Sequence, residues 1–256
     1  MKHSASRLSG TAALVTGASS GIGAATALQP AREGAAVALT ARRADRLNAL
    51  ATEIREVGGV ALVIAADMAC EEQAGEAVER TVAELGRLDT LVNNAGVMIL
   101  GPASSAATEE WRRMIDLNLT GLMHTAHAAL PHLERAAADS PRRIADIVNV
   151  SSLAGRIAFG NGTAYCATKY GVVAFSEALR QELAPRHVRV SVVEPGSVET
   201  ELRDSNRPEV QAMLDQAFGR IERLNSQDVA DAVAYIIGRP RHIAVSELLI
   251  RPTEQV

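Results

Sequence analysis

Aromatic side chains make up only 3% of this 256-residue chain, with one tryptophan, three tyrosines and three phenylalanines. The formal net charge is −4, and no basic stripe interleaved with aromatics is present, so a phosphate backbone has no electrostatic footprint to meet. A nucleic-acid partner is excluded on that ground. The only two cysteines, Cys70 and Cys166, are too few for a disulfide framework or a four-ligand zinc site. No apolar run approaches the roughly 20 residues that span a bilayer, and the start Met1-Lys2-His3-Ser4 lacks the apolar core of a signal peptide. Together these absences lead to the expectation of a soluble, cytoplasmic protein with no metal site.

What is present reads as one packed domain. Hydrophobic residues at 47% and charged residues at 22% are ordinary globular values, and the length lets a single α/β sheet use the whole of residues 1–256. Short apolar runs alternate with longer amphipathic stretches, the rhythm of repeated βα units. Strands are expected at Ala12–Thr16, Ala36–Thr40, Val60–Ala65, Thr90–Asn93, Ile144–Val150, Arg189–Glu194 and Val245–Ile250, each buried on both faces. Seven strands predict a doubly wound parallel sheet with helices on both faces. Helices are expected at Gly21–Glu33, Asp45–Val57, Glu71–Leu85, Thr108–Glu134, Tyr165–Ala184 and Gln227–Ile237, with a bend at Pro30. Ala136–Arg143 reads as a polar loop. Gly196–Leu224, which contains Pro208, reads as an irregular segment able to serve as a substrate lid.

After the first strand comes Thr16-Gly17-Ala18-Ser19-Ser20-Gly21-Ile22-Gly23, a glycine-rich turn that opens a helix. Glycines allow tight turns and close backbone approach, and the helix N-terminus offers free N–H groups to a pyrophosphate. Alone, such a turn is an ordinary connection; its strand–turn–helix setting points to a dinucleotide. NAD folds place an acidic residue about 20 positions on to hold the ribose 2′-hydroxyl. Here that place reads Leu39-Thr40-Ala41-Arg42-Arg43, and Arg42 and Arg43 suit a 2′-phosphate, so NADP(H) is expected over NAD(H). Asp67, beside Met68, is a candidate for the adenine amino group, and Asn93-Asn94-Ala95-Gly96 ends the fourth strand on the same edge.

Tyr165 and Lys169 stand four residues apart on one helical face. A protonated lysine lowers the pKa of a neighbouring phenol from its usual ~10, which would let Tyr165 exchange a proton near neutral pH. Ser152 follows the fifth strand, where its hydroxyl can hydrogen-bond a substrate oxygen as charge develops. Asn118 is a poor helix former inside a long helical stretch, which invites a functional reason. Singly, these have plain alternatives: a surface tyrosine, a solvated lysine, a helix-capping serine.

Taken together, the turn from Thr16 to Gly23, Asn93-Asn94-Ala95-Gly96, Asn118, Ser152, Tyr165-x-x-x-Lys169 and Pro195-Gly196-x-x-x-Thr200 resemble the single-domain short-chain dehydrogenase/reductase family. The resemblance implies a Rossmann-like domain in which Tyr165 is the proton donor, Lys169 binds ribose, Ser152 orients the carbonyl and Asn118 helps hold a relay water. It assigns Pro195, Gly196, Val198 and Thr200 to the nicotinamide end, and it implies homodimers or homotetramers built through the two long helices. Pro30 is the main departure. Ala41-Arg42-Arg43, the run 94–102 and the ending 250–256 are similar to a narrower group that includes clavaldehyde reductases and NADP-dependent hydroxy-acid dehydrogenases. The expected substrate is a small carbonyl compound, or the matching alcohol, of specialised metabolism. Its walls are expected from Met98, Leu100, Leu153, Phe159 and Val198, with Arg156 or Arg203 as clamps for a carboxylate or else as ordinary surface charges. Two alternatives stay open: a ketoreductase of carrier-bound thioesters, with Arg112 and Arg113 as a docking pair, and a non-catalytic NADP(H)-binding regulator.

Overall fold

The computed structural model describes residues 7–255, so the Met1-to-Ser4 start and the final Val256 lie outside the described residues. Seven strands form one sheet: β1 (Ala12–Thr16), β2 (Ala36–Ala41), β3 (Val60–Ala65), β4 (Thr90–Asn93), β5 (Ala145–Val150), β6 (Val188–Pro195) and β7 (Glu247–Ile250). Their order is β3-β2-β1-β4-β5-β6-β7, and every pairing is parallel. The Rossmann-like α/β architecture expected from the sequence is therefore present.

Parallel strands need crossovers, and the helices supply them on both faces. Alternation along each strand sorts the core into two layers. Val15, Leu39, Val92 and Val148 point to α1 (Gly21–Arg32), α2 (Ala44–Glu56) and α8 (Ser226–Ile237). Leu14, Ala38, Leu91 and Ile147 point to α3 (Glu71–Leu85), α5 (Gly121–Asp139) and α6 (Thr163–Leu183). A third cluster, with Val97, Met114, Tyr165 and Leu214, lies beyond the strands' carboxyl ends, where α4 (Thr108–Ile115) and α7 (Pro208–Phe218) close over the sheet. The strand order reverses between β1 and β4, which opens a crevice at that edge.

Four expectations need correction. β3 and β7 are edge strands and not buried on both faces, with Val60, Glu247 and Leu249 exposed, because among the described residues each pairs on one side alone. The stretch 108–134 is two α-helices joined by a π-helical turn, Asp116–Thr120. The expected loop 136–143 is shorter, because α5 keeps Ala136 and Ala137 buried and runs to Asp139. Segment 196–224 is not irregular throughout: a 3₁₀ turn spans Glu201–Ser205, and Pro208 opens α7 at the first helical position, where its missing N–H costs nothing. Pro30 is buried in the last turn of α1, which ends two residues later at Arg32, before Gly34 at φ +87°.

Candidate active site

The turns after β1 and β4 meet with no room for side chains. A Cβ on Gly17, whose φ is +67°, would lie 2.9 Å from Ala95 Cα and from Asn94 Nδ2. One on Gly23 would lie 2.2 Å from the Gly17 carbonyl oxygen, so both positions require glycine. Thr16 Oγ1 accepts from the N–H groups of Asn94 and Ala95 at 2.9 and 3.0 Å, and Asn94 Nδ2 donates to the Thr16 carbonyl at 3.0 Å. The glycine turn is thus laced to β4, leaving the N-terminus of α1 facing the crevice. Asp67 Oδ1 is engaged within its own turn, accepting from Ala69 N–H at 3.0 Å.

At the end of β2, Arg43 donates through Nη2 to Ser19 Oγ (3.0 Å) and Ser20 Oγ (2.8 Å) and through Nη1 to Glu201 (2.9 Å). Arg46 donates to the other oxygen of Glu201 at 2.5 Å. These two guanidinium groups hold the Glu201 carboxyl down at about 2.

Deeper in, Tyr165 and Lys169 lie on the buried face of α6. Lys169 Nζ donates to the Val150 carbonyl at 2.9 Å and stands 5.9 Å from the centre of the Tyr165 ring. Burial lowers the ammonium to about 8. The same burial pushes the Tyr165 phenol up to about 12, and the Ser152 hydroxyl pulls it back only in part. The lowered phenol expected from the sequence is therefore not found, because desolvation outweighs the hydrogen bond from Ser152. Ser152 also fills the alternative role, since its Oγ caps the Leu153–Gly155 turn by accepting from Ala154 N–H at 3.1 Å. Gly155 lets that turn approach α6, because a Cβ there would meet the Lys169 carbonyl oxygen at 2.9 Å.

Asn118 sits in the π-helical turn, a local irregularity that often accompanies functional sites. Its Oδ1 accepts from Val97 N–H at 2.8 Å, while Nδ2 donates to the Val97 carbonyl at 2.8 Å and to Thr168 Oγ1 at 3.3 Å. The side chain thereby clamps the irregular segment that follows β4 onto α6.

One cavity of about 990 Å³ connects these parts. Along its wall, from the sheet edge outward, lie Gly17, Ser19, Ser20, Gly21, Ile22, Arg42, Arg43, Asp67, Met68, Asn94, Ala95 and Gly96, then Pro195, Gly196, Val198 and Thr200. Ser152, Tyr165 and Lys169 line its floor, and Met98, Leu100, Leu153 and Phe159 the far side. Gly23 and Asn118 stand behind the wall as supports. Arg156 is not on it: its guanidinium pairs with the fully buried Glu194 at 2.7 Å and with Glu247. That corrects its place among the substrate contacts, because both carboxylates already engage its charge. Arg203 does line the cavity, half-neutralised by Asp215 at 3.3 Å and backed by Arg223, which shares that carboxylate.

Sequence reasoning missed Arg46, Glu201 and Gln255 on the wall. Arg46 carried a signal, three residues after Arg43 on one helical face. Gln255 carried none; its Oε1 accepts from Ser197 N–H at 2.8 Å, across 58 positions of chain.

Residues 11–211 match the family model for short chain dehydrogenase. An oxidoreductase of Staphylococcus epidermidis, itself uncharacterised, is 32% identical over 240 residues, which is 94% of this chain and 96% of that one. The glycine betaine reductase of Emericella nidulans is 36% identical over 249 residues, 97% of this chain but 19% of that much longer protein. Among solved structures, the closed form of a serine dehydrogenase complexed with NADP+ superposes with a TM-score of 0.87 at 31% identity, covering 96% of each chain. With the family match spanning most of its length, this chain belongs to the short-chain dehydrogenase/reductase family of oxidoreductases.

Proposed function

We propose that this chain is an NADP(H)-dependent reductase of a small aldehyde or ketone, or a dehydrogenase of the matching alcohol. The observation that carries the reading is the buried Tyr165 phenol on the cavity floor, between Ser152 and the Lys169 ammonium. The cofactor end fits the dinucleotide. The cradle at Gly17 and Gly23 is one a Cβ would fill, and β2 is followed by Arg42 and Arg43 in place of the acidic residue that holds a ribose 2′-hydroxyl in NAD folds. The serine dehydrogenase of the same fold is complexed with NADP+. When bound, the nicotinamide gives or takes the hydride.

The remaining chemistry belongs to the chain. Held at about 12, Tyr165 is protonated at neutral pH, the form that donates a proton to a carbonyl oxygen as hydride arrives at the carbon. Ser152 keeps its hydroxyl hydrogen while Oγ caps the following turn, so it can donate to that same oxygen. Lys169, still charged below about 8, is placed to hold ribose and to stabilise the phenolate left behind. Because the Asn118 side chain is spent on Val97 and Thr168, its relay role falls to main-chain groups. Met98, Leu100, Leu153 and Phe159 keep water off the reacting carbon. The likeness in 41–43, 94–102 and 250–256 supports a substrate of specialised metabolism, of the kind clavaldehyde reductases take. Segment 196–224 acts as the lid, its base closed by the Val198–Leu224 bridge. Exposed Ile115 and Met123 beside the long helices support assembly as a homodimer or homotetramer.

The test is NADPH oxidation at neutral pH against aldehydes, keto acids and ketoacyl thioesters, repeated with NADH. Turnover of a small carbonyl compound with a preference for NADPH is expected. Tight NADPH binding with no turnover of any panel member would instead establish the regulator.

A further inference from the structure

Glu201 is the first residue of a 3₁₀ turn, and its two carboxylate oxygens are shared between two arginines. Arg43 reaches one at 2.9 Å and Arg46 the other at 2.5 Å, from 158 and 155 positions away in the chain. Arg43 is also the residue read above as a ligand of the cofactor 2′-phosphate, and it is oriented by Ser19 and Ser20 of the glycine turn. The Glu201 carboxylate therefore stands where phosphate oxygens would seek the same guanidinium groups.

Two anions at contact distance repel, so they compete for Arg43. The carboxylate is the weaker competitor. It carries one charge and two oxygens against up to two charges and three oxygens for a phosphate. Its contacts are also exchangeable: the Arg43, Arg46 and Glu201 side chains are 42%, 43% and 44% exposed.

The consequence reaches the substrate side through a short lever. Leu202, Arg203, Asp204 and Ser205 follow Glu201 along the cavity wall. At the far end of the turn, Asn206 grips the substrate wall: its Oδ1 accepts from Leu100 N–H at 2.7 Å and its Nδ2 donates to the Met98 carbonyl at 3.0 Å. The base of the segment is pinned by Glu199 N–H to the Leu224 carbonyl at 2.8 Å and Leu224 N–H to the Ser197 carbonyl at 3.1 Å. Between that pinned base and Asn206, Glu201 is the tie to the cofactor rim.

We propose that Glu201 is a latch: its carboxylate holds the 201–206 turn against Arg43 and Arg46, and a 2′-phosphorylated cofactor displaces it, so that phosphate recognition repositions the substrate wall. The proposal rests on the NADP(H) reading. It makes Glu201 a positioning residue that sets both cofactor discrimination and the stance of the lid.

The experiment uses the full chain and two probes without nicotinamide, 2′,5′-ADP and 5′-AMP, titrated calorimetrically into wild type and Glu201→Gln. Hydrogen exchange of segments 98–100 and 201–206 is followed in parallel. Breaking two exposed ion pairs should tighten 2′,5′-ADP by about three- to tenfold in the variant while 5′-AMP changes by less than about twofold. In wild type, 2′,5′-ADP but not 5′-AMP should alter exchange at both segments. In Glu201→Gln the turn should already be released and show little further change. Wild type that prefers 2′,5′-ADP but gains nothing from the substitution, or whose exchange ignores the phosphate, overturns the latch and leaves the NADP(H) reading standing. Wild type that binds 2′,5′-ADP no better than 5′-AMP overturns both.

Discussion

The two ends of the one cavity are built on opposite principles. Around Tyr165 and Lys169 the groups are buried and locked: Lys169 is 6% exposed, and Gly155 leaves no space for a single added methyl group. Around Arg43, Arg46 and Glu201 the contacts are half-exposed ion pairs between long side chains. Burial at the floor moves pKa values and fixes geometry, which proton transfer demands. Exposure at the rim keeps contacts weak and exchangeable, which suits a place where a charged ligand must come and go. The chemistry is set by the first region and the choice of ligand by the second.

The comparison is sharpened most by Tyr165→Phe. The substitution removes the hydroxyl from the floor and touches nothing at the rim, so turnover should fall by about 10³-fold while NADPH affinity stays near that of wild type. Single-turnover rates beside a binding titration separate the two. Comparable losses in rate and in affinity would show that floor and rim are not independent.

Burial at the floor also leaves a signature in stability. Lys169 titrates near 8 in the folded protein against an ordinary 10.5. Between those values the unfolded chain holds a proton that the folded chain has shed, so stability should rise with pH across this window, by up to ~3 kcal/mol. Tyr165 acts in the other direction. Its phenol, raised from 10 to about 12, stays protonated when the unfolded one has ionised, so stability falls again above about pH 10. Urea midpoints measured from pH 7 to 11 should pass through a maximum, and Lys169→Met should abolish the rising limb. A wild-type curve that is flat between pH 8 and 10 would mean that the ammonium is not desolvated.

How far the sequence revealed each region follows from the same contrast. The seven strands were legible because each is a short apolar run ended by a turn, and six of them fall within about a residue of the expected limits at both ends. β3 and β7 were read as buried on both faces because apolar composition alone cannot distinguish a central strand from an edge. The break at Asn118 was signalled by a poor helix former, but no local pattern announces a π-helical turn. Pro208 carried a start signal that the polar, mixed composition around it obscured. At the floor, Ser152, Tyr165 and Lys169 could be named because they lie close in sequence, in the order that their chemistry requires. The partners of Arg43 at the rim, and of Arg156 outside the cavity, are set by the crossovers of the sheet, and no spacing encodes them.

Arg156 and Arg203, equivalent in the sequence as candidate clamps, come apart once those partners are known. Arg156→Ala strands the buried Glu194 carboxylate, whose second oxygen already lacks a partner among the described residues. Because the guanidinium is 38% exposed, the expected loss of stability is about 2 kcal/mol, below the full cost of breaking a buried pair, with substrate preference unchanged. Equal chemical-denaturation midpoints for variant and wild type would contradict this.

Arg203→Ala should do the reverse, and its effect is the smallest of the set. Arg203 lies on the cavity wall over the Phe218 ring, and the one carboxylate it touches among the described residues, Asp215, is 70% exposed and shared with Arg223. Two guanidinium groups sharing one solvated carboxylate leave positive charge facing the substrate space. A substrate carboxylate bound there would gain a charge-assisted contact of about 1.5 kcal/mol, so the variant should raise KM for a keto acid by about tenfold. For an uncharged aldehyde of the same size KM should hold, and kcat should hold for both, because the contact is made equally in the ground and transition states. Equal changes in KM for the two substrates would assign Arg203 to packing against Phe218, and the rim would then select its ligands at the 2′-phosphate end alone.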